Sequence, residues 1–157
     1  MTRVLFVCLG NICRSPQAEG IFRHLVVQAG RQGDFDIGSA GTGGWHAGEL
    51  PDPRTREASR RHNIELSMRA RQFQASDLDE FDFILAMDSN NLRDITALIP
   101  DRPVRANVAL LRSHDATAQS LDVPDPYYGG ANGFENVYQI CHRGCSGLLA
   151  KLIAEMA

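Results

Sequence analysis

Residues 4–15 read VLFVCLGNICRS, and the reading of this stretch decides the fold. Val4, Leu5, Phe6 and Val7 form a short apolar run typical of a strand buried on both faces. The run leads into Cys8, and five residues separate Cys8 from Arg14, which is followed by Ser15 and Pro16. Ser15 suits the N-cap of a helix and Pro16 its first position. A strand, a six-residue loop and a helix N-terminus make an anion cradle, because free backbone N–H groups and the positive end of the helix dipole converge there. Arg14 adds a planar fork that matches two oxygens of a phosphate. A sulfur at the rim of such a positive concavity is favoured as thiolate, so Cys8 is expected to act as a nucleophile toward a bound phosphoryl group. Taken singly, a cysteine at the end of a strand is usually a small core residue and an arginine near a helix start is usually solvated. Taken with Gly10, Asn11, Ser15 and Pro16, the pair favours a catalytic loop.

The octet C-L-G-N-I-C-R-S (8–15), placed directly after an N-terminal strand, resembles the active-site loop of the low-molecular-weight protein tyrosine phosphatases. Their signature is Cys, five residues, Arg, then Ser or Thr. The similarity continues through G-S-A-G-T (38–42), A-R-Q (70–72), M-D-S-N-N-L (87–92) and D-P-Y-Y (125–128), and covers nearly the whole chain. Met68 departs from it, since eukaryotic members tend to carry a histidine there. D-P-R-T (52–55) looks more like the bacterial members, so a bacterial member is expected.

A chain of 157 residues suits one domain, 1–157, with a sizeable core. A net charge of −3 gives no reason to expect nucleic acid or an anionic membrane as partner, so attraction for phosphate must be local. No apolar run approaches the ~20 residues that span a bilayer, and the N-terminal run is too short for a signal peptide. The expectation is a cytoplasmic protein whose four cysteines are reduced; their spacing does not resemble a zinc site.

Helical spacing runs from Pro16 to about Ala29, closed by Gly30, and Phe35–Gly41 reads as a second strand, giving a βαβ unit. Thr42–Pro53 reads as a loop and Arg54–His62 as a charged helix capped by Asp52. Residues 66–75 are ambiguous, with a brief helical turn at 76–78. Phe81–Met87 is the third strand, Asn91–Leu98 a short helix behind the start cluster at Asp88, and a fourth strand lies within Val104–Leu111. Ser113–Tyr128 is a long polar loop, a feature that is more often functional than not. Phe134–Met156 is the longest helix, with Cys141 and Cys145 on its core face. The predicted fold is α/β: a single doubly wound domain whose four-stranded parallel sheet is flanked by helices, with the phosphate loop after the first strand.

Transfer of a phosphoryl group from an aryl oxide needs a nucleophile, donors for the equatorial oxygens, and a proton for the leaving group. Cys8 is expected to supply the first. Arg14 and the loop from Leu9 through Gly10, Asn11, Ile12 and Cys13 to Ser15 are expected to supply the second. For the third, Asp125 lies between Pro124 and Pro126, which stiffen its backbone. Alone, Asp-Pro only marks a turn; the resemblance implies that this aspartate is the general acid and later the base. Asn tolerates a left-handed backbone, which suits Asn11 to a tight loop. Ser15 can donate to the Cys8 sulfur, and Ser39 and Asp88 can hold Asn11. The resemblance also implies that Trp45, Tyr127 and Tyr128 line the mouth. The implied substrate is a phosphotyrosine protein or small aryl phosphate, with inorganic phosphate and other oxyanions as inhibitors and with neither cofactor nor metal. Cys13 either packs beneath the loop or closes a disulfide on oxidised Cys8; the resemblance favours the redox-sensitive reading.

Three rivals remain. Thioredoxin-coupled arsenate reductases share the fold but need two further cysteines near the third strand, whereas Cys141 and Cys145 read as core packing. Protein arginine phosphatases carry Thr where this chain has Ile12. A phosphopeptide-binding module would need neither Cys8 nor Asp125.

Overall fold

The structure, a computed structural model, describes residues 1–128, 130 and 132–156. Four parallel strands form one sheet in the order β2-β1-β3-β4: β1 at Thr2–Cys8, β2 at Phe35–Gly41, β3 at Phe83–Ala86 and β4 at Asn107–Leu110. The helices are α1 (Arg14–Gln28), α2 (Pro53–Arg60), α3 (Asp77–Glu80), α4 (Ser89–Thr96) and α5 (Gly133–Met156). The predicted doubly wound sheet is present. Strand order reverses between β1 and β3, and the crevice at the carboxyl ends of these two strands is where such sheets bind ligands.

Alternation along β1 builds two cores at once. Val4, Phe6 and Cys8 point into the layer under α1 and α5, whereas Leu5 and Val7 point to the opposite layer with Leu78, Ile84 and Ile95. In the first layer Phe22 packs edge to face on Phe35 and tilted on Phe6, each at 5.6 Å between ring centroids. Cys141 and Cys145 are fully buried there, as expected of packing residues. Among the described residues, no helix is long and apolar enough to cross a membrane.

The helix ends follow local chemistry. Gly30, at φ +69°, takes the left-handed position that ends α1, one residue past the Ala29 cap. Asp52 caps α2 by accepting from the Arg54 N–H, as predicted, and Pro53 joins the first turn of the helix. Asp88 and Asn91 form a reciprocal capping box on α4, so this helix starts at Ser89 rather than Asn91. Two expectations shift. α1 begins at Arg14, with Cys13 rather than Ser15 at its N-cap position. The segment 113–128 is not wholly irregular: it opens out of a 3-10 turn at Leu111–His114, ends in another at Pro126–Tyr128, and buries Val123 in the core.

Candidate active site

Cys8 ends β1, and the chain then curls back around its sulfur. The Asn11 N–H reaches Cys8 Sγ at 3.3 Å, and Ser15 Oγ lies 3.0 Å from it. Asn11 sits at φ +58°, the left-handed conformation expected of it. Its side chain holds that conformation: Nδ2 donates to Ser15 Oγ at 2.8 Å and Ser39 Oγ at 3.0 Å, while Oδ1 accepts from the Arg71 N–H at 3.0 Å. Ser39 in turn donates to the buried Glu19 carboxylate at 2.7 Å, whose other oxygen accepts from Arg23 Nε at 2.8 Å. The loop carbonyls of Cys8, Leu9 and Ile12 accept from Thr42, Gly43 and Asp52, which turns them away from the concavity. Gly41 makes this approach possible, because a Cβ there would lie 2.8 Å from the Leu9 oxygen. Ser15 is therefore not a cap; its hydroxyl is engaged by Cys8 and Asn11.

Arg14 is buried in the first turn of α1. Its Nη1 donates to Asp88 Oδ2 at 2.5 Å and to the Val123 carbonyl at 3.1 Å. Burial alone would lower the guanidinium pKa, but the Cys8 sulfur and Asp88 outweigh it and hold Arg14 above its ordinary range. The expectation that Asp88 supports Asn11 is corrected here: the carboxylate reaches Arg14, while its other oxygen caps α4 through the Asn91 N–H. Ser39 does contact Asn11.

Cys8, Arg14 and Asp125 line one cleft of about 250 Å³. Gly10 and Cys13 complete its floor, and Leu9, Ile12, Trp45, His46 and Tyr127 form its walls. The two aromatics are more than half exposed, Trp45 at 65% and Tyr127 at 56%, so apolar surface faces solvent at the mouth. The Arg54 guanidinium lies 5.0 Å from the Tyr127 ring centroid and 4.6 Å from that of Phe134. Asp125 Oδ1 accepts from the Tyr127 N–H at 2.9 Å, a tight turn that aims the carboxyl group. The side chain of Tyr128 lies outside the described residues. A larger hollow of about 550 Å³ between α2 and α5, lined by Arg54, Glu57 and Phe134, holds no nucleophile.

Burial pushes the Cys13 thiol up to about 12 and likewise Cys141, and raises Cys145 as well. Among the described residues, no cluster of three His, Cys, Asp or Glu side chains forms a metal site. Two participants carried no expectation. His46 lines the cleft with its Nδ1 against Glu49 at 2.6 Å, and its position beside Trp45 was the available signal. Glu19 lies one helical turn beyond Ser15, and its i,i+4 spacing to Arg23 was visible.

Residues 3–157 match the family model described as low molecular weight phosphotyrosine protein phosphatase. A Streptomyces coelicolor low molecular weight protein-tyrosine-phosphatase is 48% identical over 150 residues, covering 94% of this chain and 92% of that protein. The crystal structure of YfkJ from Bacillus subtilis superposes with a TM-score of 0.91 at 43% identity, over 100% of this chain and 98% of the other. A Drosophila arginine phosphatase structure superposes with a TM-score of 0.89 at 33% identity, over 97% and 98%.

Proposed function

This chain belongs to the low molecular weight phosphotyrosine protein phosphatase family, and on that premise we propose that it hydrolyses phosphotyrosine and other aryl phosphate monoesters through a phosphocysteine on Cys8. The observation that carries this reading is the convergence of Cys8, Arg14 and Asp125 on one cleft, with Ser15 Oγ 3.0 Å from the sulfur. Phosphate binds over the loop N–H groups. Because Arg14 Nη1 is engaged by Asp88 and Val123, Nε and Nη2 are the donors turned to two phosphate oxygens. The Cys8 thiolate attacks phosphorus, the P–O bond to the aryl group breaks, and protonated Asp125 delivers its proton to the departing aryl oxide. Water then attacks the phosphocysteine, Asp125 takes its proton, and the S–P bond breaks with Ser15 donating its hydroxyl hydrogen to the returning sulfur. The substrate is a protein or small molecule bearing the aryl phosphate, and inorganic phosphate competes for the same donors.

Depth supports an aryl substrate. Cys8 is 3% exposed, below walls formed by Leu9, Trp45 and Tyr127, which suit a flat ring that carries phosphorus inward. The likeness to an arginine phosphatase raises phosphoarginine as a second reading. Ile12, which also lines the cleft, offers no hydroxyl to position water beside a P–N bond. Arsenate reduction is opposed by Cys141 and Cys145, which are fully buried and whose thiols burial holds protonated. The test is a turnover panel with phosphotyrosine, phosphoserine and phosphoarginine peptides plus arsenate. Phosphotyrosine should dominate in kcat/KM; preference for phosphoarginine overturns the aryl assignment.

A further inference from the structure

We propose that Arg112 is a positioning residue for Asp125, fixing the acid-bearing segment through the carbonyl of Asp122. This rests on Asp125 being the general acid. Arg112 sits on the 3-10 turn at Leu111–His114 and is 8% exposed. Its Nη1 donates to the Asp122 carbonyl at 2.6 Å, and its Nε has no hydrogen-bond partner among the described residues. No carboxylate pairs with it among them either. A guanidinium taken out of water and given one carbonyl is an unfavourable core group, which an apolar side chain of similar volume would replace at a gain. Its one contact holds the segment three residues before Asp125.

The mount beneath Arg112 is stiff. The turn lies directly on α5, where Gly144 and Gly147 leave no gap: a Cβ at Gly147 would sit 1.8 Å from the His114 oxygen, and one at Gly144 would sit 2.8 Å from Leu111 Cγ. Arg143 on α5 also reaches Asp115 just past the turn, at 3.3 Å. From this base, Arg112 holds one side of the segment. The other sides are held by Ser89 Oγ and N–H on the Asp122 carboxylate, by the Val123 N–H on the Met87 carbonyl, and by Arg14 on the Val123 carbonyl. Beyond Val123 the chain runs through Pro124, so a shift at Asp122 carries to the carboxyl group with little slack.

The experiment compares kcat/KM, which reports steps through aryl oxide departure, for aryl phosphates whose leaving groups span a range of pKa. Arg112→Met should lose about tenfold or more with a tyrosine-like leaving group of pKa ~10 and less than about twofold with a nitrophenol. The inhibition constant of inorganic phosphate should be unchanged. Arg112→Lys, which keeps charge and a donor, should fall between and serves if the methionine variant fails to fold. Asp125→Asn is run beside them. If Asp125→Asn loses most with the poor leaving groups while the Arg112 variants behave as wild type, or lose equally across leaving groups, the positioning role is overturned. If Asp125→Asn itself shows an equal loss across leaving groups, the general-acid assignment fails and the Arg112 proposal with it.

Discussion

The loop at residues 8–15 closes a cluster of bonds among its own residues around the sulfur in addition to its ties to distant ones, whereas the segment that brings Asp125 to the same cleft has no such cluster and is held mainly from outside itself. Cys8, Asn11 and Ser15 bond one another within seven positions, and α1 continues from them without a break. Around Asp125 the internal side-chain bonds are single tight turns, from Thr117 to Asp115, from Asp122 to Ser120 and from Tyr127 to Asp125. What fixes that segment comes from Arg14, 109 positions distant, from Ser89, 33 positions distant, and from Arg112. The proposed nucleophile thus has a local cluster of bonds beneath its tertiary ties, while the proposed acid depends chiefly on tertiary packing. Conditions that loosen packing without unfolding the sheet should cost the acid before the nucleophile.

The largest effect should come from breaking the local side. Cys8→Ser should lose turnover by on the order of 10⁴ or more, while inorganic phosphate binding, followed by calorimetry, remains measurable. EDTA should change nothing, since the proposed nucleophile, oxygen donors and proton source are all groups of the protein itself. Retained turnover in Cys8→Ser would remove the phosphocysteine. On the distant side, Asp125→Asn should cost ~10²–10⁴ in kcat/KM, shrinking as the leaving group becomes a weaker base. A loss independent of leaving group points to another acid.

Asp88→Asn probes the link between the two regions. Asparagine caps a helix about as well as aspartate, so α4 should persist, while the unpaired buried Arg14 should lower the melting temperature. Loss of a charged hydrogen bond worth ~1.5–3 kcal/mol should lower kcat/KM by about 10–100-fold. An unaltered kcat/KM would show that Arg14 needs no carboxylate to hold its aim. Ser39→Ala removes one of the ties on Asn11 and leaves two others, so a loss of about 2–10-fold is expected from a neutral bond of ~0.5–1.5 kcal/mol. A loss as large as that of Asp88→Asn would mean that the local network is less redundant than its bonds suggest. The smallest effect is on recovery from peroxide. Wild type should regain most of its activity in dithiothreitol, and Cys13→Ser less. Since burial holds the Cys13 thiol near 12, closure of a Cys8–Cys13 disulfide should speed up roughly tenfold per pH unit across the alkaline range. Equal recovery in both proteins, with no linked peptide by mass spectrometry, removes the switch.

The same contrast explains what could be read from the chain. Val4 to Arg14 is one contiguous stretch in which strand, turn and helix each leave a local mark, so both the fold and the candidate nucleophile could be read there. Asp125 was separable from an ordinary Asp-Pro turn only through the D-P-Y-Y resemblance, because its anchors are scattered through the chain. Ser15 followed by Pro16 carries the usual cap signature. The chain enters the helix one residue earlier, and the hydroxyl is drawn to the sulfur, a competition that spacing does not reveal. Asp88 was legible as a cap, yet its second oxygen serves an arginine 74 positions away. Arg112 resembles any solvated arginine until Gly144 and Gly147 seat its turn on α5.

Asp88 divides one carboxylate between two tasks, starting α4 with one oxygen and aiming Arg14 with the other. Its inheritance is therefore joint. A substitution at 88 is felt at once by Asn91, which closes the capping box, and by Arg14 with its hold on Val123. Positions 14, 88 and 91 should accordingly behave as a single allele: in a library that randomises them independently, most survivors should keep all three, and compensated replacements should arrive in pairs rather than one at a time.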